Sequence, residues 1–300
     1  MPRSQPKIDP DALMDPDQFQ PQAPARSPRV AEYAEEAARL SRAVLEQWSP
    51  QRVRYGPHQN QMLDIFSGDG KSGLRPALVF FHGGAWSAGY LWWSSFMAPG
   101  IEKIGGILVT PTYRLGPEYR FPTPLEDVAQ AIAWVWNNAG DIGVDRQRIF
   151  VGGHSAGGHL STLATLKPGT LSREGAPDDL VRGCFALSSS FNLHYPNPAP
   201  GSGEERTYKT LLARAEDDRI ASPIEYLSRD CPPMHMACGA RDFERIIRTN
   251  HEMADALAAR NIEASLEIWE NMDHFDTHLA LADPRHHWYQ EIGAAFARNT

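Results

Sequence analysis

The sequence predicts an α/β fold, with a mostly parallel central sheet covered by helices on both faces. Three observations predict it. Continuous apolar runs such as Ala77-Leu78-Val79-Phe80-Phe81 and Ile107-Leu108-Val109 suit strands buried on both sides. Stretches of helical spacing alternate with these runs, the pattern that brings successive strands parallel. Between one strand and one helix stands Gly153-His154-Ser155-Ala156-Gly157. A strand turning sharply into a helix there strains the serine backbone and points the hydroxyl out of the sheet edge.

The elements follow in order. Residues 1–29 are rich in proline and read as an extended strap or a disordered tail. Ser27 caps a helix with Pro28 in its first turn, and Val30, Tyr33, Ala34, Ala37, Val44 and Trp48 mark its apolar face until Pro50 stops it. Periodicity does not separate a packing helix from a lid over an active site, so residues 1–50 stand as a strap and helix with both readings open. Arg52–Tyr55 and Gln61–Phe66 read as strands, with Gly68-Asp69-Gly70 as a turn. The strand ending at Phe81 runs into His82-Gly83-Gly84-Ala85-Trp86, then an aromatic loop, Tyr90-Leu91-Trp92-Trp93, then a helix through Met97 to Ile104. Thr123-Pro124-Leu125-Glu126 reads as a capping box opening a helix that Gly140 ends. Strand 148–151 leads into the serine turn, and strand 183–187 follows. Residues 191–222 are irregular, with helical character near Tyr208–Arg214. Strand Met234–Cys238, a helix over about 243–260, a strand alternating over Ile262, Ala264, Leu266 and Ile268 near the sheet edge, and a helix from His286 to Arg298 complete residues 51–300 as one domain.

Composition narrows the function. The net charge is −8 and there is no Lys/Arg run, which argues against nucleic acid and anionic membrane as partners. Cys184, Cys231 and Cys238 are odd in number and lack metal-type spacing, so they read as reduced thiols of a cytoplasmic protein. The first residues carry no apolar signal-peptide core, and no apolar run reaches the length of a membrane span. The oligomeric state stays open, a homo-oligomer included.

The chemistry comes from residues at the carboxyl ends of strands, where active residues of open parallel sheets sit. Ser155, Asp242 and His274 each follow a strand, in that chain order. A serine hydroxyl needs a base, which a neutral histidine provides, and a carboxylate fixes the histidine tautomer. Glu244 competes with Asp242 as that carboxylate, and the bland alternatives are a helix cap for Asp242 and a surface histidine for His274. The glycines at the turn do not form G-x-G-x-x-G, and no P-loop lysine follows, so a phosphate cradle is excluded. Gly83, Gly84 and Ala156 are the expected oxyanion-hole donors. Trp86, Tyr90, Trp92, Trp93, Phe191 and Tyr195 are expected to line the pocket. His274, His278, His286 and His287 lack the companions of a metal site, and no metal or cofactor is expected.

His82-Gly83-Gly84-Ala85-Trp86, Tyr113-Arg114-Leu115-Gly116-Pro117-Glu118, Leu125-Glu126-Asp127-Val128 and Gly153-His154-Ser155-Ala156-Gly157-Gly158 together resemble the α/β-hydrolases of the hormone-sensitive-lipase and kynurenine-formamidase type. Ala221-Ser222-Pro223 and Gly239-Ala240-Arg241-Asp242-Phe243 look more like the kynurenine formamidase and esterase branch. The resemblance covers roughly residues 50–298. It implies an α/β-hydrolase fold with a small lid, Ser155, Asp242 and His274 as a triad, and Gly83, Gly84 and Ala156 as the oxyanion hole. It implies a serine hydrolase, a carboxylesterase or an arylformamidase, acting on a small-molecule ester or amide. Leu91-Trp92-Trp93 departs from the small or charged residues the family often has there. A non-catalytic receptor on the same fold is the alternative from another class.

Overall fold

The computed structural model describes residues 9–68 and 73–298. Pro2 and Pro6 of the strap and Asp69 and Gly70 of the expected turn lie outside the described residues. Eight strands form one sheet: β1 (Gln51–Arg54), β2 (Met62–Phe66), β3 (Arg75–Phe81), β4 (Ile107–Pro111), β5 (Val144–His154), β6 (Val181–Leu187), β7 (Met234–Arg241) and β8 (Ala264–Asp273). Their order is β1-β2-β4-β3-β5-β6-β7-β8. β1 and β2 pair antiparallel, as do β2 and β4, while every pairing from β4 through β3 to β8 is parallel.

The two-residue period of each strand divides the core into two layers. Val79, Phe81, Val151, Cys184 and Met236 point to one face, under the helices Thr123–Asn137, Ala156–Leu166 and Glu244–Ala258. Leu78, Phe80, Phe150, Phe185 and Ala237 point to the other, under Pro28–Leu45, Leu91–Met97 and Trp288–Ala297. Strands covered on both sides can be apolar throughout, which is why these runs do not alternate in sequence. β8, the alternating strand, is an edge strand paired only with β7.

Three local expectations need correction. Tyr90-Leu91-Trp92-Trp93 is not a loop: Leu91–Met97 is a 3-10 helix that runs into the helix Ala98–Lys103. Thr123 does not cap its helix. Pro122 takes the cap position without a side-chain cap bond, because its ring presets the backbone one residue before the threonine. The helical character near Tyr208–Arg214 is two pieces, Gly203–Thr210 and Asp217–Ile220, the first capped by Ser202.

The strap and the first long helix are docked. Ser27 accepts from the Val30 N–H and starts the helix Pro28–Leu45, whose buried face carries Tyr33, Ala37 and Leu45. Upstream, the Gln20 side chain bonds both the N–H and the carbonyl of Leu115.

Candidate active site

β5 ends at His154, and the helix Ala156–Leu166 begins one residue after Ser155. Ser155 makes the turn with φ 53° and ψ −116°, a strained backbone held by its N–H donating to the Leu187 carbonyl at 2.8 Å. The hydroxyl is half-buried and meets His274 Nε2 at 2.9 Å. His274 Nδ1 meets Asp242 Oδ1 at 2.8 Å. Both partners are buried. Asp242 also accepts from the Phe243 N–H at 2.7 Å; it does not cap the next helix, whose N-cap position is Phe243 without a side-chain cap bond. Glu244, the competing carboxylate, is exposed in the first turn of the next helix. Burial acts to raise the Asp242 carboxyl, but the adjacent His274 ring and hydrogen bonds outweigh it and hold the group below its ordinary value.

His82-Gly83-Gly84 lies against this line. A Cβ on Gly83 would stand 3.2 Å from Ser155 Cβ and 2.7 Å from His154 Nδ1. Gly84 has φ 121°, and a Cβ there would stand 1.9 Å from the Ala88 carbonyl oxygen, so only glycine closes this turn. Ala85 and Trp86 also carry positive φ, of 51° and 57°. Backbone strain of this kind persists where surrounding contacts over-determine it. Here the contacts are visible. The His82 ring stacks on Tyr113 with centroids 4.5 Å apart and bonds Thr112 Oγ1 at 2.9 Å. The Trp86 indole N–H donates to His159 Nδ1 at 3.1 Å, and His159 Nε2 bonds the Ala221 carbonyl at 2.7 Å.

Behind His274 lies a buried polar chain that sequence reasoning missed. His154 Nε2 bonds the His274 carbonyl at 2.8 Å, and Thr277 Oγ1 donates to the same carbonyl at 3.0 Å. Tyr33, from the first long helix, bonds His278 Nδ1 at 2.8 Å and lies 3.4 Å from His154 Nδ1. Burial pulls His154 down to about 3 and, with neighbouring histidines, moves His278 well below the usual histidine value. The four histidines weighed as a cluster separate: His274 and His278 face this interior, while His286 and His287 pack on Trp269 at the edge strand.

The expected pocket residues divide. Trp92 and Trp93 are only 3% and 6% exposed. Trp92 stacks on Tyr90 at 4.1 Å, and Trp93 stands edge-on to Tyr33 at 5.3 Å. Tyr90 is partly exposed, Phe191 and Tyr195 are buried, and Trp86 is tied to His159. A residue not expected as lining is Phe243. It is 43% exposed, and its ring lies 4.8 Å from that of His274.

A family model for the α/β-hydrolase fold matches residues 78–276, a span that includes the turn glycines, Ser155, Asp242 and His274. The chain belongs to the α/β-hydrolase fold family. An isoprenylcysteine α-carbonyl methylesterase of Arabidopsis thaliana is 28% identical to this α/β-hydrolase over 250 residues, covering 77% of this chain and 57% of the relative. Esterase LipC of Mycobacterium tuberculosis is 33% identical over 203 residues, covering 64% of this chain and 50% of the relative. The chain thus spans about half the length of these relatives. A thermostable carboxylesterase from a metagenomic library superposes with a TM-score of 0.72 at 22% identity, covering 92% of this chain and all of that one. The Pyrobaculum calidifontis esterase superposes at 0.73 with 19% identity, covering 89% and 91%. Both likenesses speak to the fold. Among the described residues, no helix of this α/β-hydrolase is long and apolar enough to cross a membrane.

Proposed function

We propose that this α/β-hydrolase is a serine esterase that cleaves a small carboxylic ester through an acyl-enzyme. One observation carries the reading: the unbroken hydrogen-bonded line from Ser155 through His274 to Asp242, set at a strained strand-to-helix turn beside Gly83-Gly84. Ser155 Oγ attacks the ester carbonyl while its proton passes to His274 Nε2. The negative charge formed on the carbonyl oxygen is taken by the N–H groups of Gly83, Gly84 and Ala156, the last at a helix N-terminus. Asp242 holds the imidazole in the tautomer that accepts at Nε2 and stabilises the imidazolium. That proton then goes to the departing alkoxide as the C–O bond breaks. Water, deprotonated by His274, attacks the acyl group and releases the acid.

The names of the relatives, esterases and methylesterases, support ester over amide. The aromatic rings of Trp86 and Tyr90 support a short acyl group and a flat, aromatic alcohol, since rings beside the oxyanion loop take up the volume a long chain needs. The segment from residue 9 through Leu45 serves as a fixed cover for the oxyanion loop. A cytoplasmic location belongs to the same proposal, supported by three free cysteines, two of them buried.

A fluorophosphonate probe tests the nucleophile, and a screen of short acyl aryl esters against formanilides tests the substrate class. Ser155→Ala should abolish labelling and lower kcat by about 10⁴-fold or more, with the circular dichroism spectrum unchanged. Undiminished hydrolysis by a folded Ser155→Ala protein would remove Ser155 from the mechanism. A higher kcat/KM for formanilides than for phenyl acetate would move the reading to an arylformamidase.

A further inference from the structure

Three arginines lie near the Ser155–His274–Asp242 line, on three different parts of the chain. Arg26, on the strap, donates to Ser87 Oγ at 3.3 Å, and Ser87 closes the turn that begins at Gly84. Arg245 lies over the Phe243 ring, 4.7 Å from its centroid, and that ring lies 4.8 Å from His274. The Arg245 guanidinium also presses on Gly203, where a Cβ would stand 2.6 Å from Nη1. Arg206 follows one turn later on the helix that Gly203 opens. Burial, and after it the Arg206 charge, lowers Arg26, as expected of two guanidinium groups near each other. Among the described residues none of the three arginines makes a salt bridge, while Glu205 pairs with Lys209 and Glu252 with Arg248.

The chain as a whole carries a net charge of −8. A ring of guanidinium groups beside the site therefore runs against the general field, with Arg26 and Arg206 close enough to repel as like charges. Phe243 adds an exposed ring at the same rim. His274 gives its proton to the leaving oxygen, so a group beside His274 flanks the alcohol part of the substrate rather than the acyl part.

We infer that the substrate is an aryl ester whose leaving group carries an anionic substituent, the arene lying on Phe243 and the anion held by Arg26, Arg206 and Arg245. The inference rests on the esterase reading above and adds the substrate's charge to it. Guanidinium groups suit this task because they present several donors in a plane to a carboxylate, sulfate or phosphate oxygen pair.

The test compares 4-acetoxybenzoate with its neutral isostere 4-acetoxybenzamide, two acetates that differ in the charge on the leaving group. The expected ratio of kcat/KM favours the benzoate by about tenfold, the scale of a charge-assisted contact. The ratio should shrink at high salt, fall toward one in Arg245→Ala, stay intermediate in Arg245→Lys and invert in Arg245→Glu. A ratio of one or below in the unmodified protein, with both esters turned over, overturns the charged ring and leaves the esterase reading standing. If neither ester is turned over and the fluorophosphonate fails to label Ser155, the esterase reading itself fails. Calorimetry with 4-hydroxybenzoate then decides the ring: binding abolished in Arg245→Glu supports it, and no binding or binding unaffected by that change overturns it.

Discussion

His274 is held at both ends. Its ring is bracketed by Ser155 and Asp242, and its carbonyl accepts from His154 and Thr277. His154 immediately precedes Ser155, so one side chain ties the backbone of the proposed base to the strand that carries the proposed nucleophile. This arrangement distinguishes the two acids sharply. Asp242→Asn should lower kcat by about 10⁴-fold, because an amide no longer fixes the productive tautomer. Glu244→Gln, on an exposed helix turn, should change kcat little. A kinetic comparison of the two purified variants checks the assignment, and the reverse ranking would move the acid to Glu244. The positions of Ser155, Asp242 and His274 could be proposed from sequence because each lies at the carboxyl end of a strand, where such folds place chemistry. Phe243 was not legible as a surface at the site. Nothing in a sequence distinguishes a phenylalanine turned outward from one turned into the core, and phenylalanine is more often inside.

The strap is the element whose role depends most on side-chain detail. Gln22 grips Gly89 by both backbone groups: its Nε2 donates to the Gly89 carbonyl at 2.9 Å, and the Gly89 N–H donates to its Oε1 at 2.8 Å. Gly89 in turn packs against His82 and Gly83, the residues that shape the oxyanion loop. At the other end, Arg29 pairs with Asp273 at 2.8 Å and with Asp276 at 2.7 Å, on either side of His274. Burial acts to raise the Asp273 carboxyl, yet Arg29 and two backbone N–H groups draw it down to about 2. One short segment thus braces both halves of the site. Gln22→Ala should lower kcat by about tenfold with KM little changed, because a displaced oxyanion loop weakens the transition state more than the bound ester. A trifluoromethyl ketone, which forms an oxyanion when bound, should lose affinity by the same factor. Unchanged kcat and unchanged inhibitor affinity would reduce Gln22 to a structural contact. Proline content and a Ser-Pro cap were enough to expect a strap and a helix here. A single amide meeting a glycine 67 positions away leaves no pattern in the sequence. The expected capping box at Thr123 is not formed: the helix begins with Thr123 itself, and Pro122 holds the N-cap position with no side-chain bond.

At the scale of the whole molecule, the buried histidines set the response to acid. His82, His154, His159 and His278 are all buried in the interior. Burial draws His82 and His159 down to about 4 and His154 to about 3, and it moves His278 well below its ordinary value. The folded protein keeps these rings neutral at pH 5, whereas an unfolded chain protonates histidine near pH 6.5. A depressed folded value means the contribution to stability is fully present above about pH 6.5 and is lost as pH falls toward the folded values of 4 and 3. Each such group contributes up to about 1.4 kcal/mol per pH unit in that window, while Glu291, drawn up to about 7 by burial and the neighbouring Glu267, works in the opposite direction. Carboxylates such as Asp273 and Asp242 add to the loss only at lower pH, because their unfolded values lie near 4. Urea unfolding measured between pH 7 and pH 5 should therefore show a midpoint that falls below pH 6.5, with a net uptake of protons on unfolding near pH 5. Replacing His159 by Gln should reduce the uptake by one, since that ring is bonded to Trp86 and Ala221 and lies outside the Ser155–His274–Asp242 line. Unfolding free energies that stay flat from pH 6.5 to pH 5 would mean that these interior rings are protonated in the folded protein.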